Sequence, residues 1–381
     1  MDKALDVIVL GLGANGSSAL YHLSKTNKKV AGIDRFAPPH SFGSSHGQSR
    51  IIRQAYYEDP VYVPFIKEAY RCWDEIERVS GKSLFFKTGG LMLGSSGADV
   101  VTGSRLSAET HGIAYEELGY ADLKKRFPAF KPTPDTIGIL EKEAGILFPE
   151  TCITTWLEQA EKNGATLHYN EKVLKIIPLK DRVEVLTSRG KYTAEKCILS
   201  AGAWMKELVS GISPELLLPL TAARQPLYWF TNQNSRLQAG LLPGRMPVYL
   251  WEYLPKKMFY GFPDLGEGIK VAYHHGGAPL LPDELTQDVS SYERDDMKAI
   301  VDEYLNLDAV FHASAVCMYT NTPDGDFIID HHPDYKNIIL ASPCSGHGFK
   351  FSSVTGRILS ELAIGEKTTM DIAPFSLRRF I

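Results

Sequence analysis

Apolar positions along this chain fall into two patterns. Short aliphatic runs that stop at glycine or an acid predict buried strands, and stripes at three- and four-residue spacing predict helices. Asp6–Leu10 is a run of the first kind and ends at Gly11. Ser17–Lys25 carries Ala19, Leu20 and Leu23 at helical spacing, and Lys29–Ile33 returns to a strand pattern that ends at Asp34. Tyr62–Val79 puts Phe65, Ala69, Cys72, Trp73 and Ile76 on one face and predicts an amphipathic helix. Phe85–Leu93 and Val183–Leu186 read as strands, and Thr151–Asn163 as a helix with Thr151 as its N-cap. Cys197–Trp204 is an apolar strand running into glycine, Asn337–Ala341 is another buried strand, and a helix follows from about Ser352 to Ala363. Leu227–Val271 differs: its aromatics and prolines read as β-sheet and loops of a separate domain.

The first three elements frame a motif. Gly11-Leu12-Gly13-Ala14-Asn15-Gly16 follows the first strand at once, and Asp34 closes the second strand 18 residues beyond Gly16. The first glycine makes the tight turn, the second admits a pyrophosphate to the backbone, and the third lets helix and strand pack closely. The helix N-terminus offers free N–H groups to phosphate, and Asp34 can accept hydrogen bonds from a ribose diol. The order predicts dinucleotide binding without separating FAD from NAD. Signals of this nucleotide-binding type recur at the start, middle and end of the chain, with sheet-like segments between them. The predicted class is therefore α/β, α+β overall, with a Rossmann-like domain interleaved with a mixed β-sheet domain.

Composition narrows the function. A chain of 381 residues, 44% hydrophobic, exceeds one typical domain. A net charge of −4 gives no ground for nucleic acid or an anionic membrane as partner. The longest apolar runs fall far short of the roughly 20 residues a membrane span needs. The opening M-D-K-A-L-D lacks a basic region and apolar core, so no signal peptide is expected, and the ending Arg378-Arg379-Phe380-Ile381 is not a peroxisomal tail. Cys72, Cys152, Cys197, Cys317 and Cys344 are scattered without a C-x-x-C pair. Neither a disulfide framework nor a metal site is expected, and a cytoplasmic location is the simplest.

Several further segments carry a family resemblance. They are Pro38-Pro39-His40, Gly43 through Arg53, Tyr260-Gly261-Phe262-Pro263, Lys270 through His274, Val316-Cys317-Met318-Tyr319-Thr320 and Ser345 through Ser352. With Val7–Gly16, they make the chain resemble, nearly end to end, the monomeric sarcosine oxidase and N-methyltryptophan oxidase group of flavin amine oxidases, whose relatives include pipecolate oxidases. The resemblance implies FAD, tethered through a thioether from Cys317. It implies an FAD-binding domain from residues 1–85, 146–218 and 325–381, and a substrate-binding domain from 86–145 and 219–324. It also implies oxidation of a small secondary-amine amino acid with oxygen as acceptor, in a monomer.

By the same resemblance, Arg53 and Lys350 clamp the substrate carboxylate. A guanidinium holds a carboxylate in bidentate fashion, and an ammonium adds a point charge. Arg50 is assigned to the flavin side: if the segment is extended, residues three apart point to opposite faces, and one arginine can face the flavin while the other faces substrate. Lys270, flanked by apolar residues, takes the oxygen-activation role; an edge-strand lysine guarding against aggregation is the alternative. His46 and His274 line the active site, His347 lies beside the flavin, and Tyr260 and Tyr319 wall the amine substituent. Gly346 and Gly348 aim backbone N–H groups at the flavin's pyrimidine end. The remaining cofactor contacts implied are Gly11, Gly13, Gly16, Asp34, Arg35, Ser44, Ile51, Val173, Ala201, Gly202 and Trp204, with Lys350 shared. The Pro247–Phe259 segment is expected to line the substrate pocket, with Tyr249, Trp251 and Tyr253 adding bulk. Three other readings stay open: a flavin dehydrogenase using a carrier other than oxygen, an NAD-dependent dehydrogenase, and a flavin-binding regulator.

Overall fold

Leu5–Leu10 is the hub of the first sheet, with Lys191–Leu199 and Val30–Ile33 parallel on its two sides. Thr166–His168 extends the sheet beyond Val30–Ile33, and Ile338–Ser342 lies parallel beside Lys191–Leu199. Val173–Pro178 and Val183–Thr187 add an antiparallel flap at one edge. Helices Ala14–Ser24, Pro149–Lys162 and Ser352–Ile364 cover the sheet and share one apolar cluster with it. The computed structural model describes residues 4–381; Met1–Lys3, the first half of the N-terminal segment read above, lie outside the described residues. Among the described residues, no helix is long and apolar enough to cross a membrane.

The glycine motif makes the first strand-to-helix turn. Gly11 has φ +89°, and a Cβ there would strike Ser200 O at 2.7 Å. A Cβ on Gly16 would lie 1.8 Å from Gly11 O, so only glycine lets the helix pack this close. The helix starts at Ala14, earlier than its apolar stripe suggests, because the motif itself forms the first turn.

The second sheet has eight strands. Their order is Ala309–Asn321, Thr221–Asn232, Ile269–His274, Lys257–Phe262, Val248–Leu254, Gly90–Ser95, Thr136–Glu141 and Glu116–Leu118. One face packs on helix Ser291–Tyr304 through a cluster containing Tyr249, Trp251 and Phe259. A small sheet of Arg50–Ile52, Gly145–Leu147 and Phe85–Lys87 joins segments from both regions.

Two local expectations need correction. Phe85–Leu93 is not one strand: Thr88 and Gly89 break it into Phe85–Lys87 and Gly90–Ser95, which enter different sheets. Thr151 does not cap its helix. The helix begins at Pro149 behind Phe148, since proline favours the first helical position. The Thr151 carbonyl instead accepts a bond from Thr155.

Candidate active site

Two adjoining cavities run from the C-terminal ends of the parallel strands to the face of the second sheet. The walls of the first include Gly11, Gly13, Asp34, Arg35, Val173, Ala201, Gly202 and Trp204. The second is lined by Arg50, Ile51, Arg53, Glu58, Tyr260, His274, Cys317, Tyr319, Gly346, His347, Gly348 and Lys350, among others. Ser44 and Cys344 border both. Gly16, His46 and Lys270 are not wall residues; they lie behind the walls.

The first cavity fits a dinucleotide. The helix starting at Ala14 has Gly13 as its N-cap with no side chain bonded to its free N–H groups. A Cβ on Gly13 would meet nothing nearer than Ser45 Oγ at 3.9 Å, so space for a phosphate lies over the helix end. Asp34 is held in place by the N–H groups of Leu12 (2.7 Å) and Phe36 (2.8 Å), one on each carboxylate oxygen. Burial raises its pKa, against those two bonds and the neighbouring His40. Sequence reading missed Asp283, which accepts from Arg35 at 2.6 Å and Trp204 at 2.7 Å and ties the second-sheet region to this cavity.

The second cavity gathers cations. Arg53 is 4% exposed and grips Glu58, with Nη2 at 2.8 and 2.6 Å from its two oxygens. Glu58 was not anticipated. Burial pushes its carboxyl up, but Arg53, His347 and Lys350 outweigh this, and its pKa lies below the ordinary value. Arg50 points elsewhere, donating to Ser44 O (2.6 Å) and Ser49 O (2.7 Å). Lys350 follows the Gly346-His347-Gly348 turn. Its Nζ donates to His347 O at 2.8 Å, and its own carbonyl accepts from the Trp73 indole at 2.9 Å. Burial, with Arg53, lowers its pKa to about 7.

Lys270 sits on an interior strand, paired with Trp229 on one side and Phe262 on the other, which removes the edge-strand explanation. Its Nζ donates to Gly47 O (2.6 Å), Ser49 O (3.1 Å) and Ser49 Oγ (3.1 Å). Glu150 holds that turn from behind by accepting the Gly47 and Gln48 N–H groups. Burial and Arg50 pull the Lys270 pKa well below its usual value. Burial raises the Cys317 thiol, while Arg50 and Lys270 oppose the rise and favour thiolate.

Burial favours the neutral form of the three histidines expected at the site. Burial, with Arg50, lowers His46 to about 4, and His274 falls well below its usual range through burial and His275. His347, also lowered by burial to about 4, turns its ring onto Phe327 and bonds Tyr56.

The expected pocket wall is corrected in register. Tyr249, Trp251 and Tyr253 point into the cluster with Phe130, Phe259 and Tyr304, away from the cavity. Leu250, on the opposite face of the same strand, is the wall residue. Alternation makes this a one-residue difference.

A family model described as FAD dependent oxidoreductase matches residues 6–362. The chain is 36% identical over its whole length to monomeric sarcosine oxidase of Streptomyces avermitilis, covering 98% of that protein. It is 38% identical to that of an Arthrobacter species (99% of this chain, 97% of the relative). N-methyl-L-tryptophan oxidase of Salmonella heidelberg is 33% identical, with 98% and 99% covered. Among solved structures, NikD, an amino acid oxidase of nikkomycin biosynthesis, superposes with a TM-score of 0.84 at 22% identity, covering 98% of this chain and 97% of that one. L-proline dehydrogenase from P. horikoshii superposes with 0.86 at 17% identity, covering 100% and 98%. Those two similarities bear on the fold alone. The full-length relatives and the family match together place this chain in the FAD-dependent oxidoreductase family, with the monomeric sarcosine oxidases and N-methyl-L-tryptophan oxidases.

Proposed function

We propose that this chain oxidises the C–N bond of a small secondary-amine amino acid, such as sarcosine, another N-methyl amino acid or a cyclic imino acid, and reduces oxygen to hydrogen peroxide. The observation that carries the reading is the pair of buried cations, Arg53 and Lys350, in a cavity that adjoins the dinucleotide cavity and has Cys317 in its wall. The first sheet and its helices (residues 1–85, 146–218 and 325–381) are the FAD-binding domain in this reading, and residues 86–145 and 219–324 are the substrate-binding domain. When bound, FAD supplies the electron-accepting chemistry of amine oxidation, which leaves an imine that hydrolyses.

The chain's own residues do the rest. Arg53 and Lys350 hold the carboxylate and so fix the amine carbon. Tyr260 and Tyr319 enclose the amine substituent; burial pushes Tyr260 up to about 12 and Tyr319 well above its usual value, so both stay neutral. The cations and the loss of water favour the uncharged amine that oxidation requires. A screen of N-methyl amino acids, pipecolate, proline and larger secondary amines, with peroxide measured per turnover, tests the function. Turnover without peroxide would move the enzyme to the dehydrogenases.

The cofactor tether is proposed at Cys317. After acid precipitation, the yellow colour is expected in the pellet, and the flavin mass on the Cys317 peptide. Cys344 makes mapping decisive, since it borders both cavities. Flavin mass on the Cys344 peptide would reassign the tether, and colour only in the supernatant would abolish it. Cys317→Ser is expected to lose the tether and most activity.

Lys350 gives the clamp a pH dependence. With a pKa lowered to about 7, its ammonium is fully present below that pH and is lost as pH rises through it. A carboxylate ligand binds the ammonium form. Affinity for propionate, which has no amine to confuse the titration, should therefore be greatest below about pH 7 and fall above it by up to about tenfold per unit. Lys350→Met should flatten the profile. A flat profile in the parent enzyme would show that the Lys350 proton is not linked to binding.

A further inference from the structure

We infer that Tyr56 is the positioning residue of the carboxylate clamp, a shared aromatic platform that carries both Arg53 and Lys350. The inference rests on the reading of those two cations as the clamp. They stand nearly 300 residues apart in the chain, and something must bring them to one place.

Tyr56 is fully buried. Arg53 Cζ lies 4.4 Å from the centre of its ring and Lys350 Nζ 5.4 Å. Both distances are within cation–π range, and the interaction is strongest where water is excluded. The negative face of the ring offsets part of the repulsion between two cations in one cavity. Lys350 needs that help more than Arg53. Arg53 has Glu58 as counter-ion, whereas no carboxylate lies within salt-bridge distance of Lys350 among the described residues.

The ring is fixed from several sides. Its backbone carbonyl accepts from Ser107 Oγ, and its faces and edges meet Tyr62 and Phe351. Its hydroxyl bonds His347 Nδ1, and His347 Nε2 lies 3.0 Å from Gly325 O. A carbonyl can only accept, so Nε2 carries the proton and Nδ1 accepts from the Tyr56 hydroxyl. The same His347 offers its carbonyl to Lys350 Nζ. Tyr56 thus touches Lys350 directly through its ring and indirectly through His347. It reaches Arg53 across a short stretch of its own loop, whose base is pinned by Glu141 on the Gln54 and Ala55 N–H groups.

The test separates the ring's electrons from its shape. Holoenzyme carrying Tyr56→Phe is compared with holoenzyme carrying a ring-fluorinated phenylalanine at the same position. Fluorine draws electron density from the ring face and changes its volume little. Propionate and propionamide are titrated into each and followed by flavin absorbance. Tyr56→Phe is the reference for the fluorinated ring: both lack the hydroxyl bond to His347, so that loss cancels and only the electron density of the ring differs. The fluorinated ring should bind propionate about 3–30-fold more weakly than Tyr56→Phe. Propionamide, which lacks the charge, should change by less than about twofold.

Equal propionate binding by the two rings would overturn the inference, and so would a parallel loss for propionamide, which would mark a packing defect. Arg53→Met and Lys350→Met are run beside them. If neither weakens propionate, the clamp reading falls. If both weaken it and fluorination does not, the clamp stands and Tyr56 is only packing.

Discussion

Lys270→Met is expected to slow the reaction of the reduced enzyme with oxygen by about 100–1000-fold, the usual cost of removing one preorganised electrostatic group. Anaerobic reduction by substrate should change far less. Negative charge appears when oxygen takes up an electron, and a fixed cation favours that step over the ground state before it. Lys270 is built for a fixed charge: it is 2% exposed, on an interior strand, with Phe262 and Trp229 rings 4.8 and 5.6 Å from Nζ. Burial and Arg50 work against its proton. Three oxygens of Gly47 and Ser49 work for it, since an ammonium has three N–H groups to give them and a neutral amine only two. Methionine keeps length and apolar bulk, so packing should survive. Stopped-flow measurement of each half-reaction decides the matter. Equal slowing of both, or an intact oxygen reaction, would make Lys270 a structural or substrate contact.

What the sequence disclosed depended on how local the signal was. The dinucleotide turn was legible because strand, glycines, helix and Asp34 are contiguous, and each glycine has its own steric reason. The central strands of the first sheet and its helices were legible for the same reason, with ends off by a few residues where Gly13 and Pro149 set the helix start, whereas Thr166–His168, Val173–Pro178 and Ile328–His331 were not read as strands. The pocket wall was harder. The alternation of Tyr249, Leu250 and Trp251 shows two faces, but only the strands beside Val248–Leu254 decide which face meets the cavity. The large aromatics went to the core cluster on Phe130 and Phe259, where they bury more apolar area. Glu58 carried no sequence signal at all. An acid five residues after Arg53 is commonplace until a loop folds it back on the guanidinium. Nothing in the spacing of Arg53 and Lys350 announces that they meet. Their meeting depends on Tyr56, on the Gly346–Gly348 turn and on the Trp73 indole that holds the Lys350 carbonyl.

Arg53→Met should raise the dissociation constant of propionate by about 10–150-fold, the effect of losing one charge-assisted contact worth roughly 1.5–3 kcal/mol. Glu58 gives this prediction a second arm of opposite sign. Both Glu58 oxygens are within 2.8 Å of Arg53 Nη2, so a substrate carboxylate competes with an internal one. Glu58→Gln removes the competing charge and keeps the shape. It also leaves Arg53 buried without a counter-ion, a costly state that a bound carboxylate would relieve. Glu58→Gln should therefore bind propionate more tightly than the parent, while Arg53→Met binds it more weakly. In the double variant the gain from Glu58→Gln should vanish, because the guanidinium that transmits it is gone. Titration of the three variants, with propionamide as the uncharged control, reads all of this in one set of measurements. Unchanged propionate binding in Arg53→Met would place the carboxylate elsewhere in the cavity. Weaker binding in Glu58→Gln would mean that Glu58 holds Arg53 in the geometry the ligand needs, as a support for the clamp and not its competitor.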